Sequence, residues 1–208
     1  MISAPENTAA VNIHRDDIGT RMGIWLFLFT ELLLFGGMFF IYSIYRFLHQ
    51  NEFHLAALEL NVIVGTFNTA ILLTSSLTIA LSIAAIQNDN KKLSVILQIM
   101  TLVLGAAFLV NKYFEWMTKI NHGIYPGSDL LLSRKPGEIL FFGLYYVMTG
   151  LHGLHVIIGM VLIAVMLRLT VLNKIDSNNF VRLEAAGLYW HLVDIIWIFL
   201  FPLFYLIT

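Results

Sequence analysis

The chain has 208 residues, of which 59% are hydrophobic and only 12% are charged. Its mean hydropathy is +0.81. About a quarter of the residues in a soluble domain are charged, so this composition indicates an integral membrane protein. The formal net charge of −1 provides no basic surface, and nucleic acid is therefore not an expected partner. The chain contains no cysteine, which excludes disulfides, thiolate metal sites and a cysteine nucleophile.

Residues 1–20 are predicted to be a polar N-terminal tail that precedes a membrane domain at 21–208. The tail contains Glu6, Asp16 and Asp17, and it has neither the basic start nor the short apolar core of a cleavable signal peptide. We therefore expect the first apolar segment to stay in the mature protein as a membrane span.

Five apolar segments are long enough to cross the hydrocarbon layer, which is about 30 Å thick and needs about 20 helical residues. They lie at 21–47, 60–86, 93–116, 138–172 and 180–207. The sequence thus predicts an all-α integral membrane protein, a bundle of five transmembrane helices. The fourth segment is longer than the layer is thick, so it should tilt or project. Turn residues in NHGIYPGSD and RKPGE predict an extramembrane loop at 118–136.

The distribution of Lys and Arg gives an orientation for these spans. With the N-terminus inside, the inside segments hold Arg15, Arg21, Lys91, Lys92, Arg168, Lys174 and Arg182. The outside segments then hold Arg46, Lys112, Lys119, Arg134 and Lys135. Positive residues favour the cytoplasmic side, so we expect the N-terminus inside and the C-terminus outside.

Glu31 is the one carboxylate in the apolar run at 22–45. An ionisable group at membrane depth costs several kcal/mol on insertion scales, so it is a candidate functional residue by default. The alternative is a structural acid that is hydrogen-bonded inside the helix bundle.

The second span carries Gly65, Thr69 and Ser76 within about 40° of one another at 100° per residue. Small and hydroxyl residues let transmembrane helices approach closely and hydrogen-bond across the interface. We predict that this face packs against another helix, and a polar conduit is the alternative.

Two histidines in GLHGLHVIIG, His152 and His155, lie about 60° apart on one face of the fourth span. Imidazole is the commonest metal ligand, so the pair suggests haem or metal ligation. A haem between helices would need partner histidines, and His191 is the only other intramembrane candidate. The neighbouring glycines favour close helix contact instead, with the imidazoles hydrogen-bonded between helices.

In the fifth span, EAAGLYWHLVDIIWIF places Glu184 seven residues before His191 and Asp194 three residues after it. An acid–imidazole–acid ladder on one helix face is typical of proton relays, and it is also a way to bury polar groups in a bundle.

Further polar and aromatic residues lie near the predicted span ends. Lys112 and Glu115 are three residues apart at the end of the third span, which predicts an interfacial ion pair of little energetic weight by itself. Four aromatic residues fit either interfacial belts or helix packing: Trp116, Tyr125, Trp190 and Trp197. No segment assembles a nucleophile with a base and an oxyanion hole, and no phosphate-binding loop is present.

Four stretches together resemble subunit III of the haem-copper terminal oxidases: FLFTELLLFGGMFF, the Glu-Trp of KYFEW, TGLHGLHVIIG and EAAGLYWHLVDIIW. Their order and spacing fit the family across all five spans. Members have seven or five transmembrane helices, and this chain resembles the five-helix form, which lacks the first two helices. The resemblance also implies an N-terminus inside a bacterial-type inner membrane.

The resemblance implies an accessory subunit that binds phospholipid and supports proton uptake, while subunit I holds the haems and copper. Subunit I would be the main contact, together with subunit II and small subunits. Glu31 corresponds to the family's buried carboxylate in the helix that faces subunit I, and Arg168 to a contact for a phospholipid headgroup. The polar positions that match the family's inter-helix network are His152, His155, Glu184, His191 and Asp194.

The resemblance leaves the electron donor open between cytochrome c, which we favour, and quinol, and related chains accompany nitric oxide reductases. Two functions of other classes stay open from the residues. One is a standalone proton or ion conduit with Glu31 as its relay, and the other is a membrane b-type cytochrome that uses the three histidines.

Overall fold

The computed structural model describes residues 6–207, and the side chains of residues 18–207. This part of the chain consists of seven helices and contains no strand, which confirms the predicted all-α class. The helices are α1 (Glu6–Leu48), α2 (Gln50–Ala57), α3 (Val62–Gln87), α4 (Lys91–Asn121), α5 (Asp129–Leu132), α6 (Pro136–Val171) and α7 (Val181–Tyr205).

Five of these helices are long and apolar enough to cross a membrane: α1 from Ile18, α3, α4, α6 and α7. The five predicted spans are therefore confirmed, with boundary shifts of a few residues. The largest shift is at α4, which continues into the predicted loop as far as Asn121. Helix α1 begins at Glu6, inside the segment predicted as a polar tail, and residues 1–5 of that tail lie outside the described residues.

Local sequence explains where several helices begin. The Asn61 side chain accepts hydrogen bonds from the backbone N–H groups of Ile63 and Val64, and Asn90 caps α4 in the same way through Leu93. Side-chain oxygens at this position satisfy N–H groups that have no partner within the helix. Pro136 occupies the first turn of α6, where its missing N–H costs nothing.

Helix α7 is the centre of the bundle, because α1, α3 and α6 all pack against it. Helix α4 packs against α3 and α6, whereas α1 and α3 lie on different sides of α7 and hardly touch. The short helices α2 and α5 and the loop at 122–128 are all at one end of the bundle, which we call the α2 end. The other end has the short connection at 88–90 and the loop at 172–180.

Two tryptophans of α7 fill the bundle interior, so the packing alternative holds for both. Trp190 and Trp197 are fully buried, and their indole N–H groups donate to Ser75 and Thr69 of α3, each at 3.0 Å. Helices α4 and α6 approach Trp190 at glycines: a Cβ added at Gly159 would lie 2.8 Å from the ring.

The predicted packing face of the second span is confirmed as the contact of α3 with α7. Gly65 lies against the rings of Phe201 and Tyr205, so closely that a Cβ would be 2.7 Å from the first ring. Ser76 on the same face hydrogen-bonds to His191 of α7. Close approach and hydrogen bonding across the interface therefore account for the small and hydroxyl residues of this helix.

Candidate functional site

Glu31 of α1 and His155 of α6 form a hydrogen-bonded pair between the two helices. His155 Nε2 lies 2.8 Å from the carboxyl oxygen of Glu31, and only 8% and 13% of the two side chains are exposed. His155 Nδ1 lies 2.7 Å from the carbonyl oxygen of Leu151, which can only accept a hydrogen bond. The tautomer inferred from this contact has its proton on Nδ1.

This arrangement leaves one proton to be shared between Glu31 and His155 Nε2. With Nδ1 protonated, either Nε2 donates to a carboxylate or a neutral carboxyl donates to Nε2. Both forms are neutral as a pair, which reduces the cost of holding the two groups at membrane depth. The pair is shielded by Phe35, whose ring contacts the imidazole edge-on at 5.3 Å, and by Tyr189, which donates to the His155 carbonyl oxygen.

His152 does not make the hydrogen bond between helices that the sequence predicted. The side chain is fully buried, and neither ring nitrogen has a hydrogen-bond partner among the described residues. The ring lies between Phe108, at 5.6 Å and edge-on, and Trp197, at 5.3 Å and tilted by 31°. His152 therefore packs as an aromatic residue, although it shares a helix face with His155.

The predicted ladder of Glu184, His191 and Asp194 is not formed. Seven residues of helix span about 10 Å, which is too far for Glu184 to reach His191. Glu184 instead pairs with Arg21 of α1 at 3.1 Å, in a contact that is largely exposed. Glu184 is therefore directed to α1, away from His191 and Asp194, and the three side chains do not form a continuous relay.

His191 and Asp194 share a neighbour on α3 rather than contacting each other. His191 Nδ1 lies 2.6 Å from the Ser76 hydroxyl oxygen. Asp194 is 2% exposed and lies beside the same hydroxyl, but neither of its carboxyl oxygens has a hydrogen bond of ordinary geometry in the described residues.

A buried ionic cluster lies near the α2 end of the bundle. Lys112 and Glu115 of α4 are paired at 3.3 Å, and their side chains are only 9% and 8% exposed. The pair is therefore enclosed between helices, which the prediction of a simple interfacial ion pair did not anticipate. The reason is that α6 and α7 cover this face of α4 with aromatic side chains.

Two tyrosines complete the cluster. The Lys112 ammonium donates to Tyr145 of α6 at 3.1 Å and to Tyr205 of α7 at 2.7 Å. Both tyrosine hydroxyls donate in turn to the same Glu115 oxygen, at 2.6 Å and 2.5 Å. The ammonium also lies 5.1 Å from the centre of the Trp197 ring, a favourable cation–π distance. Glu31 was identified as an ionisable residue at membrane depth. The same criterion would have identified Lys112 and Glu115 if the third span had been predicted to continue to Asn121.

A second ionic group joins the loops of the α2 end. Arg134 pairs with Glu59 and with Glu138, and the Glu59 hydrogen bond raises the pKa of the arginine. Lys119 donates to the backbone carbonyl oxygen of Glu59 at 3.1 Å. Glu52 of α2 accepts a hydrogen bond from the first N–H groups of α6, at Gly137, where the helix dipole favours a negative charge.

Arg168 lies in the last turn of α6 and is exposed. It makes no side-chain hydrogen bond or ion pair with the described residues, so its guanidinium is free to bind an external anion. In residues 18–207, no group of three or more His, Asp and Glu side chains is arranged to hold a metal ion.

Comparison with known proteins gives one consistent assignment. A family model described as cytochrome c oxidase subunit III matches residues 6–208. Cytochrome c oxidase subunit 3 of Thermostichus vulcanus is 34% identical over 188 residues, covering 90% of this chain and 87% of that protein. A probable quinol oxidase subunit 3 of Staphylococcus saprophyticus is 28% identical over 212 residues, covering 99% of this chain and 97% of the relative.

A third relative joins two subunits in one chain. Heme-copper oxidase subunit I+III of Aeropyrum pernix is 32% identical over 193 residues, which cover 90% of this chain but 22% of that longer protein. The match of the family model over almost the whole length, together with these relatives, agrees with the resemblance found in the sequence. The chain therefore belongs to the cytochrome c oxidase subunit III family.

Proposed function

We propose that this multi-pass membrane subunit is the accessory, non-redox subunit III of a proton-pumping oxidase, most consistent with a cytochrome c oxidase. It packs against subunit I, binds phospholipid, and supports proton uptake and the stability of the complex. Electrons and oxygen are handled in partner subunits that hold haem and copper. The membrane is a bacterial-type inner membrane, with the N-terminus of this chain inside.

The proposal that this subunit is non-redox rests on the contacts that its three intramembrane histidines make. His155 uses both ring nitrogens for Leu151 and Glu31, and His191 uses Nδ1 for Ser76. His152 is enclosed by two aromatic rings. A haem between helices needs imidazoles that face one another across an open space, whereas these side chains pack and hydrogen-bond within the bundle.

Association with subunit I is supported by the relative from Aeropyrum pernix, in which subunits I and III form one chain. The exposure of α1 agrees with such an association. In its most apolar stretch only 11% of the residues are buried, against 50% in α7. An edge helix with this much apolar surface fits a subunit that completes its packing in a larger membrane complex.

The proton-related role is assigned to the pair of Glu31 and His155. The pair can hold its shared proton on either partner without a change in net charge, and it lies between two helices rather than in the bundle centre. Phospholipid binding is assigned to Arg168, because an exposed guanidinium at a helix end can pair bidentately with a phosphate group.

The experiment is purification of the tagged chain in a mild detergent, with a visible spectrum and mass identification of the retained proteins. We expect a haem-bearing large subunit to co-purify and the chain to be colourless once it is separated. A chain that purifies alone would contradict the accessory role. Haem retained by the isolated chain would favour a b-type cytochrome instead.

The electron donor follows from the same purification. The relatives are named for cytochrome c oxidase and for quinol oxidase, and both cover most of this chain. A retained cytochrome c or copper-binding subunit would support cytochrome c as donor. Its absence, with activity on a quinol, would support the alternative.

A further inference from the structure

The outward face of α7 carries one polar side chain at the middle of the membrane. His191 is half-buried, and α7 runs from Val181 to Tyr205, so the residue lies within about 3 Å of the helix centre along the axis. Toward the C-terminus this face continues with apolar, exposed residues, of which Ile195 is 49% and Ile198 is 42% accessible, and its N-terminal end holds Glu184. The face lies between α1 and α3, which pack on different sides of α7.

The hydrogen-bonding capacity of His191 is only half used. Nδ1 contacts the Ser76 hydroxyl, whereas Nε2 has no hydrogen bond with the described residues and is not enclosed by them. Hydrocarbon chains cannot satisfy this nitrogen, and an unsatisfied polar group in the bilayer costs free energy.

We propose that His191 is a docking point for a transmembrane helix of subunit I, which seats against the apolar face of α7 and hydrogen-bonds to Nε2. The contacting side chain is a hydroxyl or an amide. Ser76 can donate to Nδ1 or accept from it, so Nε2 can be a donor or an acceptor. Hydroxyl and amide groups match either state, and both are the usual polar residues of transmembrane interfaces.

The occupant is taken to be subunit I because that subunit and subunit III are joined in one chain in a relative of this protein. This inference rests on the proposed association with subunit I. It goes further by naming the face of the bundle, the residue and the chemistry of the contact. A lipid on this face would leave Nε2 unpaired, and a second copy of this chain would place the face in a dimer interface.

The first test is photo-crosslinking in the assembled oxidase, with a benzophenone amino acid at Ile195, one turn from His191. The matched control carries the same probe at Val103 of α4, which is 61% exposed and also near the middle of its span. We expect Ile195 to crosslink to the haem-bearing subunit and Val103 not to do so. Adducts from Ile195 to lipid alone, or to a second copy, would overturn the proposal.

The same experiment separates this proposal from the proposed function. Crosslinks to subunit I from Val103 but not from Ile195 would leave the association intact and reject the α7 face. A complex that does not form at all, with no crosslink from either position, would reject the association itself.

The second test replaces the imidazole. His191→Leu should increase dissociation of the subunit from the purified oxidase about three- to tenfold, the effect expected for one hydrogen bond between membrane helices. His191→Gln should restore most of the retention. Ser76→Ala removes only the internal partner of His191 and should keep the subunit bound.

The isolated chain gives the readout that separates docking from folding. If His191→Leu lowers retention and the thermal stability of the isolated chain to the same degree as Ser76→Ala does, the residue is structural and the proposal fails. Unchanged retention in His191→Leu would also overturn it. If His191→Leu does not accumulate, the crosslinks from Ile195 in the native background still decide the question.

Discussion

Two polar sites of this bundle hold charge in opposite ways. In the cluster near the α2 end, Lys112 and Glu115 are covered by α6 and α7 and have two tyrosine hydroxyls between them. At the edge of the bundle, Glu31 lies on α1, a helix that is mostly exposed. Its one partner is His155 of α6. Where three helices meet, each charged group can make several hydrogen bonds. An edge helix offers its charged group one contact, and that group can still gain or lose a proton.

This difference predicts that the cluster contributes mainly to stability and the edge pair mainly to function. A buried ion pair need not stabilise a fold relative to apolar side chains, but removal of one partner leaves an uncompensated charge. The Glu31–His155 pair is similarly buried, but it shares one proton, and with that proton on Glu31 neither group carries a charge.

The largest effect is expected for Lys112→Met. The substitution leaves the Glu115 carboxylate buried without its cation, which should lower the free energy of unfolding by about 3–5 kcal/mol. Titration of the purified protein with a denaturing detergent measures this quantity. Lys92→Met, an exposed lysine on the same helix, is the control and should change little. Equal losses in both variants would show that the cluster has no special weight.

The double variant Lys112→Met with Glu115→Leu sharpens the result. Replacing both members of a buried pair by apolar side chains is often close to neutral. We therefore expect it to recover more than half of the loss. A double variant as unstable as Lys112→Met would mean that the tyrosine contacts, rather than the unpaired charge, set the stability.

The next effect concerns how closely the helices approach around α7. In Gly159→Ala the new Cβ would lie 2.8 Å from the Trp190 ring, and such overpacking should cost about 1–3 kcal/mol. Gly153→Ala on the same helix meets no atom within 4 Å, and alanine there should stabilise by roughly 0.5–1 kcal/mol. Opposite signs in the same unfolding titration are the expected outcome. Two losses of equal size would contradict the packing argument.

The sequence predicted the parts of this protein that depend on one segment at a time. Apolar length located all five spans, and the spacing of Gly65, Thr69 and Ser76 identified the face of α3 that contacts α7. Glu31 could be singled out because it is isolated in its own helix. These features need no knowledge of which helices are neighbours.

The parts that could not be predicted depend on which helices meet. Glu115 is 30 residues from Tyr145 and 90 residues from Tyr205 in the chain, so the cluster exists only after α4, α6 and α7 have packed. The ladder of Glu184, His191 and Asp194 was wrong for the related reason that each side chain found a contact on another helix or in the core. Shared direction on one helix therefore does not establish contact.

A smaller effect on stability, but a larger one on function, is expected for Glu31→Gln. Glutamine can still hydrogen-bond to His155, so the free energy of unfolding should change by less than about 1 kcal/mol. The exchangeable proton of the carboxyl is lost, and we expect the oxidase to complete fewer turnovers before it loses activity. Thr30→Val is the control, because the Thr30 hydroxyl donates only within its own helix. Normal turnover in Glu31→Gln would remove the proton role.

The smallest effect is expected at Arg134, outside the membrane, where the ion pair is partly exposed. Arg134→Gln should cost less than about 1 kcal/mol, since 23% of the arginine and 34% of the Glu59 side chain are accessible. The loss should shrink between 0.01 and 1 M salt, as the Debye length falls from about 30 Å to about 3 Å. Glu59 raises the pKa of Arg134, so this contribution is fully present below the unfolded pKa and is lost only as the pH rises through the higher folded value. Unfolding free energies of the native chain and the variant should therefore differ by the same amount at pH 7 and pH 9, and a pH-dependent difference in that range would assign the contact to another group.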